Sequence, residues 1–302
     1  MPGPDGSTTD WGLTIDTLFA LRATSADDDA AKNVIASLAR KASTIIGPKD
    51  AGSDPSIVAK LLAASAVAGS SNGKLGGINL REATLTRFDE QGAAKAGTFG
   101  RSYALIGLAR TGGAQAEHVS ALLQQQCSDG YFRVDAATAG GSCDDDEGVA
   151  DRDATAIAIQ ALITARSDTA LTDSVDEPAQ RALDWLVGEQ QASGAFAGGV
   201  STTSPNANST GLAAQALEAG SVTFPGSEAG AYQAARDRAG EWVQSLIADE
   251  SFTTNAGAIA YDTATLDAAR GSEIADPMRD QWRRTTAQAV FALAPVPMHE
   301  LG

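Results

Sequence analysis

The sequence predicts an all-α chain whose helices alternate between an inner and an outer layer and close into a ring, on three observations. The first is a repeat: an acid or amide, a Thr four positions later, then Ala-Leu. Asp10 and Thr14 lead to Ala20-Leu21, Asp151 and Thr155 to Ala161-Leu162, and Asn206 and Thr210 to Ala216-Leu217. Thr286 before Ala292-Leu293 keeps the register, and Ser102-Tyr103 before Gly107-Leu108 is a looser copy. Self-similarity at this spacing marks a helix pair as the repeating unit. The second is a contrast: the repeat segments carry Ala, Leu, Ile and Thr, whereas the helices between them carry Glu and Arg on one side and a thinner apolar stripe on the other. A helix apolar on most sides must be buried on most sides, so the repeat segments are the inner layer. The third is composition: 43% hydrophobic but 5% aromatic residues suits close packing of small-residue helices.

In chain order, residues 1–9 are expected to be a disordered tail, followed by one domain over 10–296 and a C-terminal tail at 297–302. The first inner helix follows Asp10-Trp11, and an outer helix runs Asp28–Ile46. A weaker inner helix fits 57–67, and the looser copy around Ser102-Tyr103 supplies the next. Outer helices are expected at 116–126, at 177–190, where Glu177-Pro178 after Asp176 reads as a helix start, and at 231–247. About six inner and six outer helices result, and closure buries the end pairs that an open array leaves bare. Thr14, Thr155, Thr210 and Thr286 should occupy equivalent first turns, with Leu21, Leu162, Leu217 and Leu293 pointing into the layer between inner and outer helices.

Charge and cysteine content narrow the function. The net charge of −16 argues against nucleic acid, which is met by clustered cations. The longest apolar run, 57–69, is interrupted by Lys60 and Ser65, so no membrane span is expected. Cys127 and Cys143 flank a Gly-rich segment and have no competitor, which reads as one local disulfide and an oxidising compartment; the alternative is a cytosolic protein with two free thiols. The opening Met1-Pro2-Gly3-Pro4 reads as the trimmed start of a mature secreted domain. Two cysteines and two histidines, His118 and His299, are too few and scattered for a zinc site.

Two segments then carry a resemblance. Trp185-Leu186, Gln190, Gly194 and Phe196 match the spacing of the QW motif of terpenoid cyclases, with Phe for the final Trp and Arg181-Ala182 at the Lys/Arg-Gly position. Ala121-Leu122, Gln126, Gly130 and Phe132 form a second copy, whereas counterparts near 87–99 and 242–252 have lost the spacing. The chain therefore resembles, over residues 10–294, the α/α-toroid superfamily of squalene-hopene cyclases, protein prenyltransferase β subunits and the barrel of cobalamin carriers. The resemblance implies an α/α toroid with a central cavity, in which the Gln holds an outer helix end and the aromatic packs beneath it.

Chemistry centres on Asp151-Arg152-Asp153-Ala154-Thr155-Ala156, which resembles the Asp-x-Asp-Asp-Thr-Ala motif of class II terpene cyclases. The resemblance implies that Asp153 is the catalytic general acid. Protonating an alkene requires a desolvated, strongly acidic group, and the third Asp is here Ala154. Aromatics that could stabilise a cation number four Trp, four Tyr and eight Phe in the whole chain; Trp11, Phe19, Tyr103, Trp282 and Phe291 fall on inner helices. The competing reading makes Asp153 an N-terminal capping carboxylate. Asn206 and Asn208 occupy the places of Asp151 and Asp153 in another repeat and favour it.

Asp144-Asp145-Asp146-Glu147 reads as a solvated acidic loop, since its spacing is not that of an EF-hand. Neither a prenyltransferase zinc set nor a thioester Cys before Gly188-Glu189-Gln190 is present. No cofactor and no metal are expected. The sequence thus points to a secreted or cell-surface module, non-catalytic, that binds a small hydrophobic ligand or a cell-surface partner at a mouth ringed by Asp10, Trp11, Tyr103, Asp151, Asn206 and Asn208; a class II cyclase-like enzyme using Asp153 is the alternative.

Overall fold

A computed structural model describes residues 1, 8–48, 54–88, 90–135, 141–145, 148–200, 202–270 and 274–302. Twelve α-helices carry the fold among them, with one small antiparallel hairpin, Lys74–Leu75 against Ile78–Asn79. Six helices form the inner ring: α1 (Trp11–Thr24), α3 (Pro55–Val67), α5 (Glu90–Arg110, broken at Gly97), α7 (Arg152–Ala165), α9 (Ala207–Thr223) and α12 (Arg279–Ala289). Each packs on the next, and α12 returns to α1, so the ring is closed as an α/α toroid.

Outer helices bridge successive inner ones. The helix α2 (Asp28–Ile46) lies against α1 and α3, α4 (Leu80–Arg87) against α3 and α5, and α6 (Ala116–Leu123) against α5 and α7. Likewise α8 (Thr172–Gly188) lies against α7 and α9, and α10 (Ser227–Gln244) against α9 and the 3-10 turn Val290–Ala292 that ends α12. The remaining helix, α11 (Thr263–Ala269), is a short insert ahead of α12, and no described helix bridges α12 and α1.

Local chemistry explains why the helices start where they do. Asp10, Asp27, Asp54, Asn79, Asp151, Asn206 and Asp262 each accept a first-turn backbone N–H, satisfying amides that have no partner within the helix. The repeated Thr then ties helix to loop. Thr14, Thr155, Thr210 and Thr286 donate back to the carbonyls of Asp10, Asp151, Asn206 and Trp282 at 2.6, 2.7, 2.8 and 2.8 Å. The last three also accept the backbone N–H of Phe132, Phe196 and Ile259 at 2.9, 2.9 and 3.0 Å. The Thr register is thus equivalent in all four segments, with Trp282 at the cap position inside an α12 that begins a turn early.

The QW-like turns are near copies of one another. Gln126 Nε2 donates to the carbonyls of Gly130 and Pro178, each at 2.9 Å, and Gln190 Nε2 to those of Gly194 (2.9 Å) and Ala235 (2.7 Å). Arg181 and Arg238 donate to the two Gln Oε1 atoms. Phe132 and Phe196 are fully buried beneath. The third counterpart is Ile259, which pairs with Ile247 as Phe132 does with Gln126; Phe252, the residue nearest the expected spacing, belongs to a 3-10 turn instead.

Several boundaries differ from expectation. The helix α8 begins at Thr172, ahead of Glu177-Pro178, because Pro178 is tolerated inside it; its carbonyl is the one Gln126 bonds. The helices α6 and α10 stop at Leu123 and Gln244, where the chain turns into the QW-like loop and the Ile247–Ile259 bridge. Leu162 and Leu217 are fully buried as expected, but Leu21 is half-buried and Leu293 is 36% exposed. Both belong to the inner pair without a bridging helix, and Leu293 has left the helical register after Ala289.

The segment 297–302, expected as a free tail, is packed: Met298 and Leu301 are buried. Arg110 donates to the carbonyls of Met298 (2.7 Å) and Leu301 (2.6 Å), Gln215 to that of Val296 (2.7 Å), and Met298 N–H to Gln160 Oε1 (3.0 Å). Cys127 and Cys143 are disulfide-bonded, with Cα atoms 4.8 Å apart. Asp144 accepts from the Ser128 N–H and hydroxyl, each at 3.0 Å; Asp146 and Glu147 lie outside the described residues, as do residues 2–7 of the expected N-terminal tail. Among the described residues no helix is long and apolar enough to cross a membrane.

Candidate functional site

The repeated Thr also sets what faces the middle of the ring. Two positions after each Thr come Asp16, Ile157, Leu212 and Gln288; five positions after come Phe19, Gln160, Gln215 and Phe291. All but Gln160 line a central cavity of about 130 Å³, together with Lys60, Phe99, Tyr103 and Met298. Gln160 instead holds the Met298 backbone in place.

That cavity contains a connected polar chain. Lys60 Nζ lies 2.5 Å from Asp16 Oδ1, and both side chains are nearly buried. Gln288 Nε2 donates to Asp16 Oδ2 at 3.1 Å, and Asn208 Nδ2 to Gln288 Oε1 at 2.6 Å. The Lys60 ammonium sits 5.2 Å from the centre of the Tyr103 ring. Burial alone would make Lys60 easier to deprotonate, but the Asp16 carboxylate outweighs it and holds the pKa above the ordinary lysine value. Burial also raises the Tyr103 phenol. A small-molecule pocket occupies roughly 300–1,000 Å³, so this smaller space, crossed by a connected polar chain, is a polar core.

Asp151 and Asp153 divide the expected roles differently. Asp151 is the cap, accepting the Ala154 N–H at 2.8 Å. Asp153 does not cap: one carboxyl oxygen interacts with Ser209, while Oδ1 is shut off from solvent without a hydrogen-bond partner. Gly198 lies over it so closely that a β-carbon there would be 2.7 Å from Asp153 Oδ2. Desolvation pushes the Asp153 carboxyl up to about 7, the Asp151 charge acts in the same direction, and Ser209 and Arg152 oppose it. Asp153 does not line the central cavity. Its counterpart Asn208 does not cap either but reaches Gln288, so the acid and amide copies do different work.

The other expected mouth residues disperse. Asp10 caps α1 and pairs with Arg284. Asn206 caps α9. Trp11 is half-buried beside Ser37 and Lys41 of α2, outside the ring. Tyr103 lines the cavity, and Asn208 reaches it through Gln288. Asp16, Lys60 and Gln288 were missed; the offset from the repeated Thr marks two of them, and Lys60 is the charge that interrupts an otherwise apolar helix.

A larger opening lies on the outside of the ring, where α12 meets α1. It is a groove of about 590 Å³ lined from α1 by Thr17, Ala20, Leu21 and Thr24 and from α12 by Trp282, Arg283, Thr286, Ala287 and Val290, with Ala258 and Ile274 beside them. The α1 residues recur at helical spacing and so share one face. Arg279 at its edge pairs with Asp276 at 3.1 Å. Arg283 is exposed and makes no hydrogen bond or ion pair among the described residues. No group of three His, Cys, Asp or Glu side chains among the described residues is arranged to hold a metal.

No protein-family model and no curated protein matches the chain. Solved structures do. The fold is similar to ent-copalyl diphosphate synthase from Streptomyces platensis, with 17% identity and a TM-score of 0.56, covering 94% of this chain and 50% of that one. The chain thus spans about half the length of that synthase. It is also similar to the unsaturated glucuronyl hydrolase from Bacillus sp. GL1, with 13% identity and a TM-score of 0.62, covering 98% of this chain and 90% of that one. Both are α/α toroids and both are enzymes; at these identities the likeness shows the fold alone.

Proposed function

We propose that the chain is a non-catalytic binding module of an oxidising, extracytoplasmic environment, and that it takes its partner in the groove between α1 and α12. The observation that carries this reading is the contrast between the two concavities. The central one measures about 130 Å³ and is occupied by the Lys60–Asp16 pair and the packed tail, whereas the outer one measures about 590 Å³ and is lined mainly by apolar side chains. Burying such a surface against a partner contributes about 25 cal/mol per Å² of apolar area removed from water. The Cys127–Cys143 disulfide supports the compartment.

A second reading, a class II cyclase-like enzyme, draws on one specific observation: Asp153 carries an unpartnered buried oxygen and a carboxyl raised to about 7. Against it stand the separation of Asp153 from the central cavity and the size of that cavity. The test has two arms. Anilinonaphthalene sulfonate should bind with enhanced fluorescence in the wild type, and Ala287→Trp, which fills the groove, should abolish the enhancement. Incubation with squalene and with prenyl diphosphates should return the substrates unchanged. Dye binding indifferent to Ala287→Trp would remove the groove as the site, and cyclic product that disappears with Asp153→Asn would replace the module by the alternative.

A further inference from the structure

Resting on the groove reading, we infer that the occupant of the α1–α12 groove is an amphipathic helix of a partner polypeptide, apolar on one face and acidic beside it, docked as a surrogate outer helix. The ring itself supplies the reason. It has six neighbouring inner pairs, and five are bridged by an outer helix of the chain; α12–α1 is the exception among the described residues. The half-buried face there is built for the same contact. Thr17, Ala20, Leu21 and Thr24 present a shallow, small-residue surface, and Trp282, Ala287 and Val290 present the opposing wall. Leu21 occupies the register position at which Leu162 and Leu217 are covered by their outer layer, and it remains half-buried.

Charge identifies the partner's chemistry. Three bridged pairs are locked by an ion pair between inner and outer elements: Arg22 with Asp28 at 3.4 Å, Arg166 with Asp176 at 2.5 Å, and Glu218 with Arg236. In two of these the inner element offers the Arg and the outer helix the acid. The open pair offers Arg283, exposed and without an ion-pair partner among the described residues. Arg283 lies three residues before the repeated Thr286, as Arg152 lies before Thr155, and Arg152 pairs with Glu189 at the C-terminal cap of α8; an acid near the C-terminal end of the incoming helix therefore completes that arrangement and, in a chain of net charge −16, sets the orientation of docking.

The probe is a side-chain-stapled, fluorescein-labelled peptide with the α8 sequence and its cap, Thr172–Glu189, carrying Pro178→Ala to keep it helical. This outer helix combines one buried apolar stripe with Glu189 at its C-terminal cap, the acid that Arg152 holds within the ring. Fluorescence anisotropy should show saturable binding to the whole protein. Ala287→Trp should weaken it more than tenfold. Arg283→Ala, an exposed position that folding does not depend on, should weaken it about two- to fivefold, the range for an exposed ion pair. A peptide with Glu189→Gln should lose the same factor and become insensitive to Arg283→Ala, which isolates the charge contact as a double-mutant cycle. Peptide binding unmoved by either protein variant overturns the inference. Dye binding that is groove-dependent while the peptide fails overturns the helix but leaves the groove reading standing; if dodecanoate then displaces the dye, the occupant is a small amphiphile, and if sedimentation gives a dimer lost in Ala287→Trp, it is a second copy. Failure of both dye and peptide overturns both.

Discussion

Gly194 faces the carbonyl oxygen of Arg238 so closely that a β-carbon on it would lie 2.3 Å away; its φ of +90° is also one that L side chains rarely adopt. Gly130 stands in the same relation to Arg181, at 2.5 Å and φ +105°. In both cases a QW-like turn packs against the next outer helix. Gly194→Ala combines left-handed backbone strain with overpacking against main chain. The expected loss of unfolding free energy is about 2–4 kcal/mol, read as a lower urea midpoint at unchanged m-value; a loss below about 0.5 kcal/mol would contradict the described approach.

Gln126 sits between the backbone carbonyls of Gly130 and Pro178 and donates to both. Replacing it by Leu keeps the volume and leaves the Gly130 and Pro178 oxygens, and the Arg181 guanidinium, without that partner. A destabilisation of about 2–3 kcal/mol is expected from the unsatisfied groups. Gln126→Glu should cost comparably, because a carboxylate cannot donate to a carbonyl; thermal unfolding of the two variants side by side is the measurement.

The Lys60–Asp16 pair behaves as a unit. Lys60→Met alone strands a buried carboxylate and should cost about 3–5 kcal/mol, whereas Lys60→Met with Asp16→Leu should recover most of it, since apolar replacement of a whole buried pair is often neutral or favourable. Denaturant unfolding of the two singles and the double closes the cycle. Additive losses would mean that the two residues are not coupled in the way their 2.5 Å separation implies.

Asp153 makes stability depend on pH. Its carboxyl rises from an ordinary 3.8 to about 7 on folding, so between these values the folded state binds more protons than the unfolded one. The sign follows: this contribution is present at low pH and is lost as pH climbs through the window, about 4 kcal/mol over its full width by proton linkage. Asp151, raised by burial as well, acts in the same direction. Asp153→Asn should flatten the fall and be the more stable protein at pH 8. Urea melts of both proteins at pH 5 and pH 8 check it, and an unchanged slope would contradict the buried, unpartnered Oδ1. This departs from the capping reading of Asp153 in the sequence, a role that belongs to Asp151.

The disulfide followed from the cysteine count; reading the repeats was enough to obtain the ring, the inner and outer layers and the equivalence of Thr14, Thr155, Thr210 and Thr286. Those features come from local rules: helical period, N-terminal capping and repetition. The site was less legible for a physical reason. Asp10, Asp151 and Asn206 look like ligand groups in sequence because capping and binding select the same small polar side chains, and the structure spends them on helix amides. The Asp16–Lys60 contact joins two neighbouring inner helices, and nothing in either segment names the other. Leu21 and Leu293 failed their expectation because burial depends on a bridging helix, which a repeat pattern assumes and cannot guarantee. The packed end of the chain was missed because Met298 and Leu301 are two isolated apolar residues whose burial depends on Arg110 and Gln160 far upstream.

That packed end bears on how the protein is made. Arg110 reaches the Met298 and Leu301 carbonyls across 188 and 191 residues of sequence, and the floor of the central cavity is complete when Met298 is in place. A ring also lacks a free edge only once its last helix has met its first. During synthesis, at roughly 5–20 residues per second, the helix pairs ahead of α12 therefore emerge as an open arc with an apolar flank, and no stretch of chain that stops short of Met298–Leu301 attains the finished topology. Closure is a contact of long sequence separation, the slow class in folding kinetics, and the arc that precedes it is the species with apolar inner-ring surface still uncovered.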